Sequence, residues 1–249
     1  MPAYHEQHRP KTWEDIAGQD SARNRLRGLL ARSWGGRAVW IQGPSGTGKT
    51  TMARIAANAA DPLYATELTA RELTVGALDR LIDRMRYRPL SGAGHVVIVN
   101  EVHGLSRPVR ERLLGHLDPV PDSELWIFTT TNEAQANLFE DDNGDNDALF
   151  SRCTLIRTTA NDEAIGKMAD RARSLAIADG IDGMPPEVYK AALRSRKGNM
   201  RALLGDVESG RLAEFATEYA AAKREFEILR STKGDRAEAR RAELKAIIG

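Results

Sequence analysis

Residues Val39–Thr51 read VWIQGPSGTGKTT, and the architecture of the chain turns on this stretch. An apolar β-type run over Ala38–Gln42 breaks into a glycine-rich loop, and a helix-forming segment from Thr50 to Ala60 follows. The spacing Gly43-x-x-x-x-Gly48-Lys49-Thr50 fits a phosphate-binding loop. Each position has a physical task. Gly43, Gly46 and Gly48 let the loop, with Pro44, Ser45 and Thr47 between them, bring backbone N–H groups together on the β-phosphate, and Lys49 reaches the β- and γ-phosphates. Thr50 offers a hydroxyl to Mg²⁺, and Thr51 continues the first helical turn, whose dipole adds positive potential. A plain Gly/Ser/Pro turn would not need all the fixed positions filled. The stretch predicts binding of a nucleoside triphosphate with Mg²⁺.

Strands and helices alternate around the loop. His95–Val99 (HVVIV) is a continuous apolar run, the pattern of a parallel strand covered on both faces. Leu125–Thr130 (LWIFTT) makes a second buried strand and Cys153–Arg157 a shorter one. A helix with Leu73, Leu78, Leu81, Ile82 and Met85 as its apolar positions, ended by the turn 89–94, precedes the first of these strands, and another over Arg107–Leu117, with Pro108 in its first turn, follows it. A polar N-terminal region carries one amphipathic helix, Asp20–Ala31, which Asp20 or Ser21 can cap. The expected fold is α/β: an open parallel sheet around the loop.

From Asn161 the pattern changes to helices alone. Asn161 or Asp162 caps one that runs through Ala178, Pro185–Pro186 opens another that stops near Gly198, and Met200–Val207 gives a third. Residues 211–231 read as a strongly amphipathic helix, with Leu212, Phe215, Tyr219, Phe226 and Leu229 at spacings of three and four. Its seam wants a partner surface, in the same chain or in a neighbour. The division that follows is an α/β nucleotide-binding domain over 1–160, a helical lid over 161–209 and a C-terminal helical segment over 210–249.

A phosphate loop of this kind needs an acidic residue at the end of a neighbouring strand to hold Mg²⁺ through water, and some ATPases add a second carboxylate that activates the attacking water. The His95–Val99 strand ends in Asn100-Glu101-Val102-His103. Glu101 stands where the water-activating carboxylate belongs. Asn100 stands where an aspartate is expected. An amide still hydrogen-bonds metal-bound water but brings no charge, which affects Mg²⁺ more than ATP, because Lys49 and Thr50 remain.

These motifs together resemble the AAA+ ATPases, and within them the clamp-loader small subunits. His8–Gln19 (HRPKTWEDIAGQ) is similar to the family's opening segment around adenine, which puts Arg9 and Ile16 in that role. Thr129–Asn132 (TTTN) is similar to sensor 1, with Asn132 as the polar residue near the γ-phosphate. Ser151-Arg152-Cys153 matches the S-R-C motif, whose arginine, here Arg152, reaches the ATP site of the adjacent subunit. Gly198–Arg201 (GNMR) resembles sensor 2, which gives Arg201 a phosphate contact. The resemblance implies hydrolysis of ATP, assembly with other AAA+ subunits into a ring or spiral, a sliding clamp and primer–template DNA as partners, and a cytoplasmic, replisome-associated setting. Alternatives stay open: a non-hydrolysing ATP-binding subunit of such an assembly, or another replication-restart or branch-migration ATPase. The family's collar domain would fall at 210–249, truncated or divergent, and the acidic stretch 137–147 is longer than the family has there.

Composition narrows the rest. The 249 residues are 41% hydrophobic and 29% charged, with a net charge of +1, so overall charge selects no partner. No apolar run approaches the roughly 18 residues of a membrane span. One cysteine, Cys153, excludes an internal disulfide framework and a cysteine zinc cluster. Arg84, Arg86, Arg88, Arg107, Arg110 and Arg112 flank the Glu101 strand. They read either as contacts to DNA phosphates, independent of sequence, or as solvated arginines on helix faces.

Overall fold

A computed structural model describes residues 2–60, 65–87, 94–131, 145–181, 183–230 and 235–248. Among these, strands β1 (Arg37–Gly43), β2 (Ala65–Thr69), β3 (His95–Asn100), β4 (Glu124–Thr131) and β5 (Thr154–Arg157) form one sheet in the order β2-β3-β4-β1-β5. Every pairing is parallel, as expected from the buried runs. All six residues of β3 are buried, and so are seven of the eight in β4. The strand at the edge, β2, has exposed and half-buried positions instead.

The period-2 alternation of the strands sorts their side chains between two cores. Trp40, Val97, Val99, Trp126 and Phe128 face α4 (Val75–Met85) and α5 (Arg107–His116). Val39, Ile41, Val96, Ile98, Leu125 and Ile127 face α2 (Asp20–Arg32) and α3 (Lys49–Ala60). Two local expectations need correction. The residue before α2 is Gln19, with no side-chain cap, so neither Asp20 nor Ser21 serves as one. Thr74 caps α4 by accepting the Ala77 N–H at 3.2 Å, which leaves Leu73 buried but outside the helix. Most of the turn 89–94 lies outside the described residues.

The backbone divides into two compact units. The sheet unit holds Pro10–Pro44 and Gly48–Thr158. The helical unit holds the residues up to Arg9, including the short helix α1 (Tyr4–Gln7), then Ser45–Thr47 and everything from Thr159 on. Its helices, after α6 (Asp145–Ser151) of the sheet unit, are α7 (Asp162–Ala178), α8 (Pro186–Ser195), α9 (Met200–Ser209), α10 (Arg211–Leu229) and α11 (Asp235–Ile248). Asn161 caps α7, accepting the Ala164 N–H at 2.9 Å, and Asn199 caps α9, accepting the Ala202 N–H at 3.1 Å. Helix α10 finds its partners within the unit, against α8, α9 and α11. Its apolar seam faces inward: Leu212 is buried and Phe215, Tyr219, Phe226 and Leu229 are half-buried, while Ile228, off that seam, is 72% exposed. Helices α10 and α11 cluster with α7–α9, where the sequence set residues 210–249 apart.

Among the described residues of the sheet unit, one acid is buried. Glu124 is buried at the start of β4, and its Oε2 accepts from Trp126 Nε1 at 2.8 Å and meets His116 Nε2 at 2.7 Å. Removing that acceptor strands a buried indole N–H. Glu124→Ala is expected to lower unfolding stability by about 2–4 kcal/mol, read from denaturant titration.

Candidate functional site

The register of the sheet assembles the site. Gly43 at the end of β1 pairs with Thr131 of β4, Val99 of β3 pairs with Phe128, and Thr69 of β2 pairs with Asn100. The carboxyl ends of β1, β3 and β4 therefore open onto one edge, where an α/β sheet places its ligands. The loop leaves β1 at Gly43, and α3 begins at Lys49.

Gly43, Gly46 and Gly48 have φ of 152°, 74° and 92°, values a side chain resists, so the glycine spacing is a conformational requirement. A Cβ on Gly48 would meet open space, the clearance an incoming phosphate needs. A Cβ on Gly46 would collide with Asn199, the α9 cap, and the Met200 N–H donates to the Gly46 carbonyl at 3.2 Å. The middle of the loop is thus bonded to the start of α9, the helix that carries Arg201, and Arg201 itself is exposed. Lys49 is buried, with Nζ donating to the carbonyls of Gly43 at 2.9 Å and Pro44 at 2.7 Å. Its ammonium is held where the loop closes. Three positive-φ glycines, clearance at Gly48 and a buried ammonium fit a bound triphosphate.

Behind the loop the expected magnesium residues meet. Thr50 Oγ1 donates to Asn100 Oδ1 at 3.1 Å, and Thr129 Oγ1 donates to the same oxygen at 2.8 Å. Asn100 is buried, and its Nδ2 donates to Glu67 Oε1 at 2.7 Å. Among the described residues no cluster of three or more His, Cys, Asp or Glu could hold a metal. Two oxygen-bearing side chains suit Mg²⁺, which keeps several waters and takes the rest of its ligands from phosphates.

Glu101 follows β3 with φ 55° and ψ 46°, a left-handed conformation that costs a residue with a side chain of order 1 kcal/mol. The strain sits at an exposed carboxylate next to the Thr50–Asn100 pair. His103 Nδ1 lies 3.5 Å from Thr130 Oγ1. Arg152 is paired within the chain, with NH1 donating to the Ala148 carbonyl and NH2 to Asp118 Oδ2, both at 2.8 Å. The Cys153 thiol donates to the Leu149 carbonyl, and burial pushes it up to about 12. Asn132 and the acidic loop through residue 144 lie outside the described residues, as does Arg88.

The remaining expectations fare unevenly. Ile16 is buried in the core with Leu26, Ile41 and Met52, and Arg9 forms an ion pair with Glu6. The arginines of the proposed DNA face are engaged: Arg86 with Asp83, Arg107 with Glu111 and Arg112 with Asp79. Arg84 donates to Thr66 Oγ1 and Arg110 to the Leu105 carbonyl. Glu67, Arg54 and Asp118 were not singled out from sequence, and Thr129 and Asn199 entered only as members of the TTTN and GNMR motifs, with no role of their own.

Gly46→Ala should be worse than a local strain, since it drives a side chain into the α9 cap. A stability loss of about 2 kcal/mol or more is expected, with ATP affinity down at least tenfold, measured by thermal melting and nucleotide titration.

Residues 39–144 match the family model described as ATPase family associated with various cellular activities (AAA). The chain is 24% identical over 217 residues to DNA polymerase III subunit tau/gamma of Haemophilus influenzae, which covers 78% of this chain and 30% of that protein. It is 27% identical over 218 residues to the replication factor C small subunit of Natronomonas pharaonis, covering 82% and 61%. The chain thus spans less than two thirds of either relative. In fold it is similar to the solved Thermotoga maritima RuvB Holliday junction branch migration motor, with a TM-score of 0.59 at 21% identity, over 81% of this chain and 64% of that one. The glycine loop, the parallel sheet and the matched segment agree: the chain carries an AAA ATPase domain, and its homologues include DNA polymerase III tau/gamma and replication factor C subunits.

Proposed function

We infer that the chain is an ATP-binding and ATP-hydrolysing subunit of a DNA sliding-clamp loader, assembled with other AAA+ subunits on primer–template DNA. The observation that carries the ATPase part is the meeting of Thr50, Asn100 and Thr129 behind a glycine loop, with Glu101 held beside them in a strained conformation. The clamp-loader part draws support from the names of the relatives and from the S-R-C motif, whose arginine is exposed.

Bound Mg²⁺ would neutralise charge on the phosphates. Lys49 turns its ammonium from the Gly43 and Pro44 carbonyls to the β- and γ-phosphates. Glu101 takes the proton of the attacking water, and Asn132 positions that water. Arg201, on the helix bonded to Gly46, contacts the phosphate, and Arg152 of one subunit steadies the charge at its neighbour's site. Arg9 and Ile16 cover adenine. Arg84, Arg86, Arg88, Arg107, Arg110 and Arg112 contact DNA phosphates; for Arg86, Arg107 and Arg112 this means trading a carboxylate partner, an exchange that costs little because exposed ion pairs contribute only ~0–1 kcal/mol.

A second reading, a branch-migration motor, is favoured by the fold likeness to RuvB. ATP turnover measured with primed DNA plus clamp, and separately with four-way junction DNA, distinguishes the two. Stimulation by the first supports clamp loading, and stimulation by the junction alone overturns it. No turnover under any condition leaves the non-hydrolysing subunit as the reading, for which Asn100 speaks. In the active protein, Glu101→Gln is expected to cut turnover about 100-fold or more while ATP affinity stays within a few fold. Reversing Arg107 and Arg112 to Glu should weaken DNA stimulation on any sequence and reduce the slope of log affinity against log salt by about one per lost phosphate contact.

A further inference from the structure

The two ends of the Asn100 side chain differ, and its neighbours allow one arrangement. Glu67, in the middle of β2, presents Oε1 2.7 Å from the amide nitrogen. A carboxylate can only accept, so the nitrogen must face it. The carbonyl oxygen is thereby turned to Thr50 and Thr129, whose hydroxyls both donate to it. Glu67 is itself held at two points by Arg54, with Nε on Oε2 at 2.6 Å and NH2 on Oε1 at 2.9 Å. Arg54 lies one turn beyond Thr50 on α3, so the chain Thr50–Asn100–Glu67–Arg54 begins and ends on one helix.

An aspartate at position 100 would need no such help. Its two oxygens are equivalent, and either end serves a hydrated cation. An amide serves only when its oxygen points the right way. We propose that Glu67 is the positioning residue of the magnesium site, locking the Asn100 carbonyl oxygen toward Thr50. The acid at 67 and the amide at 100 then work as a matched pair. Asn100→Asp alone would set two carboxylates at hydrogen-bond distance, offset only in part by Arg54, which already serves Glu67. Restoring the expected aspartate therefore helps only if position 67 gives up its charge. This rests on the Mg²⁺–nucleotide reading of the site.

The test compares wild type, Glu67→Ala, Glu67→Gln, Asn100→Asp and the double variant Asn100→Asp/Glu67→Gln. The first readout is the Mg²⁺ concentration giving half-maximal affinity for a fluorescent ATP analogue. Glu67→Ala is expected to raise it about tenfold, the effect of losing one charge-assisted hydrogen bond, with Mg²⁺-free binding unchanged. Glu67→Gln, which still accepts from Asn100, should stay within about threefold of wild type. The second readout is the melting temperature of the nucleotide-free protein. Asn100→Asp should lower it, and the double variant should recover it. A Glu67→Ala half-point equal to wild type, or Asn100→Asp melting unchanged by Glu67→Gln, overturns the proposal alone. Wild type that shows no Mg²⁺-dependent binding overturns the functional reading and this proposal with it.

Discussion

The parallel pairing of β4 with β3 on one side and β1 on the other sets the position of every polar group behind the loop. Because the strands run in register, their apolar stretches end together, and the first polar residue beyond each stretch lands at the same edge. Thr129 and Asn100 meet for this reason, although 29 residues separate them. Thr50 joins them because α3 starts directly from the loop at the end of β1. The core on both faces keeps the strands from slipping, since a slip of one residue would exchange Trp40, Trp126 and Phe128 with Val39, Leu125 and Ile127 across the sheet.

With the strand ends fixed, the chemistry of the edge is a question of hydrogen-bond direction rather than net charge. An asparagine at the strand end forgoes the Coulombic attraction that an aspartate would offer a divalent cation. What remains is an oriented dipole, and it is worth having only if something decides its orientation. The neighbours do: two hydroxyls that can donate on one side and a carboxylate that cannot on the other. The ion pair of Glu67 with Arg54 is half exposed and adds little stability by itself. Its consequence is geometric, because it keeps the carboxylate facing Asn100.

What sequence could show follows from the range of the interactions. The six buried residues of β3 form an unbroken apolar run, and Asn161 sits at the head of a helix that its own side chain caps three residues on, so both were legible. The glycine loop was legible because its backbone angles demand a residue type. Glu67 was not. It is one acid in a short edge strand, and what singles it out is a partner 33 positions away. Asp118 escaped for the same reason, 34 positions from Arg152. The spacing of apolar residues along α10 was legible as a helix with one apolar seam, and α8, α9 and α11 bury Leu212 while leaving Phe215, Tyr219, Phe226 and Leu229 half-buried.

The pairing of Arg152 with Asp118 bears on how one subunit could sense another. An arginine that is to stabilise charge at a neighbour's site must be available on the surface, yet an unpaired guanidinium next to the sheet would be free to engage any anion. Here it is held by one carboxylate and one carbonyl, with its side chain about a third exposed and Asp118 more open still. A pair so placed contributes ~0–1 kcal/mol, because water competes for both partners. A phosphate chain brought close by a neighbouring subunit carries more charge than one carboxylate and takes the guanidinium at two points. In the proposed assembly the exchange would be downhill only with a nucleotide-loaded neighbour present, and Asp118 would hold the arginine in a defined place until then.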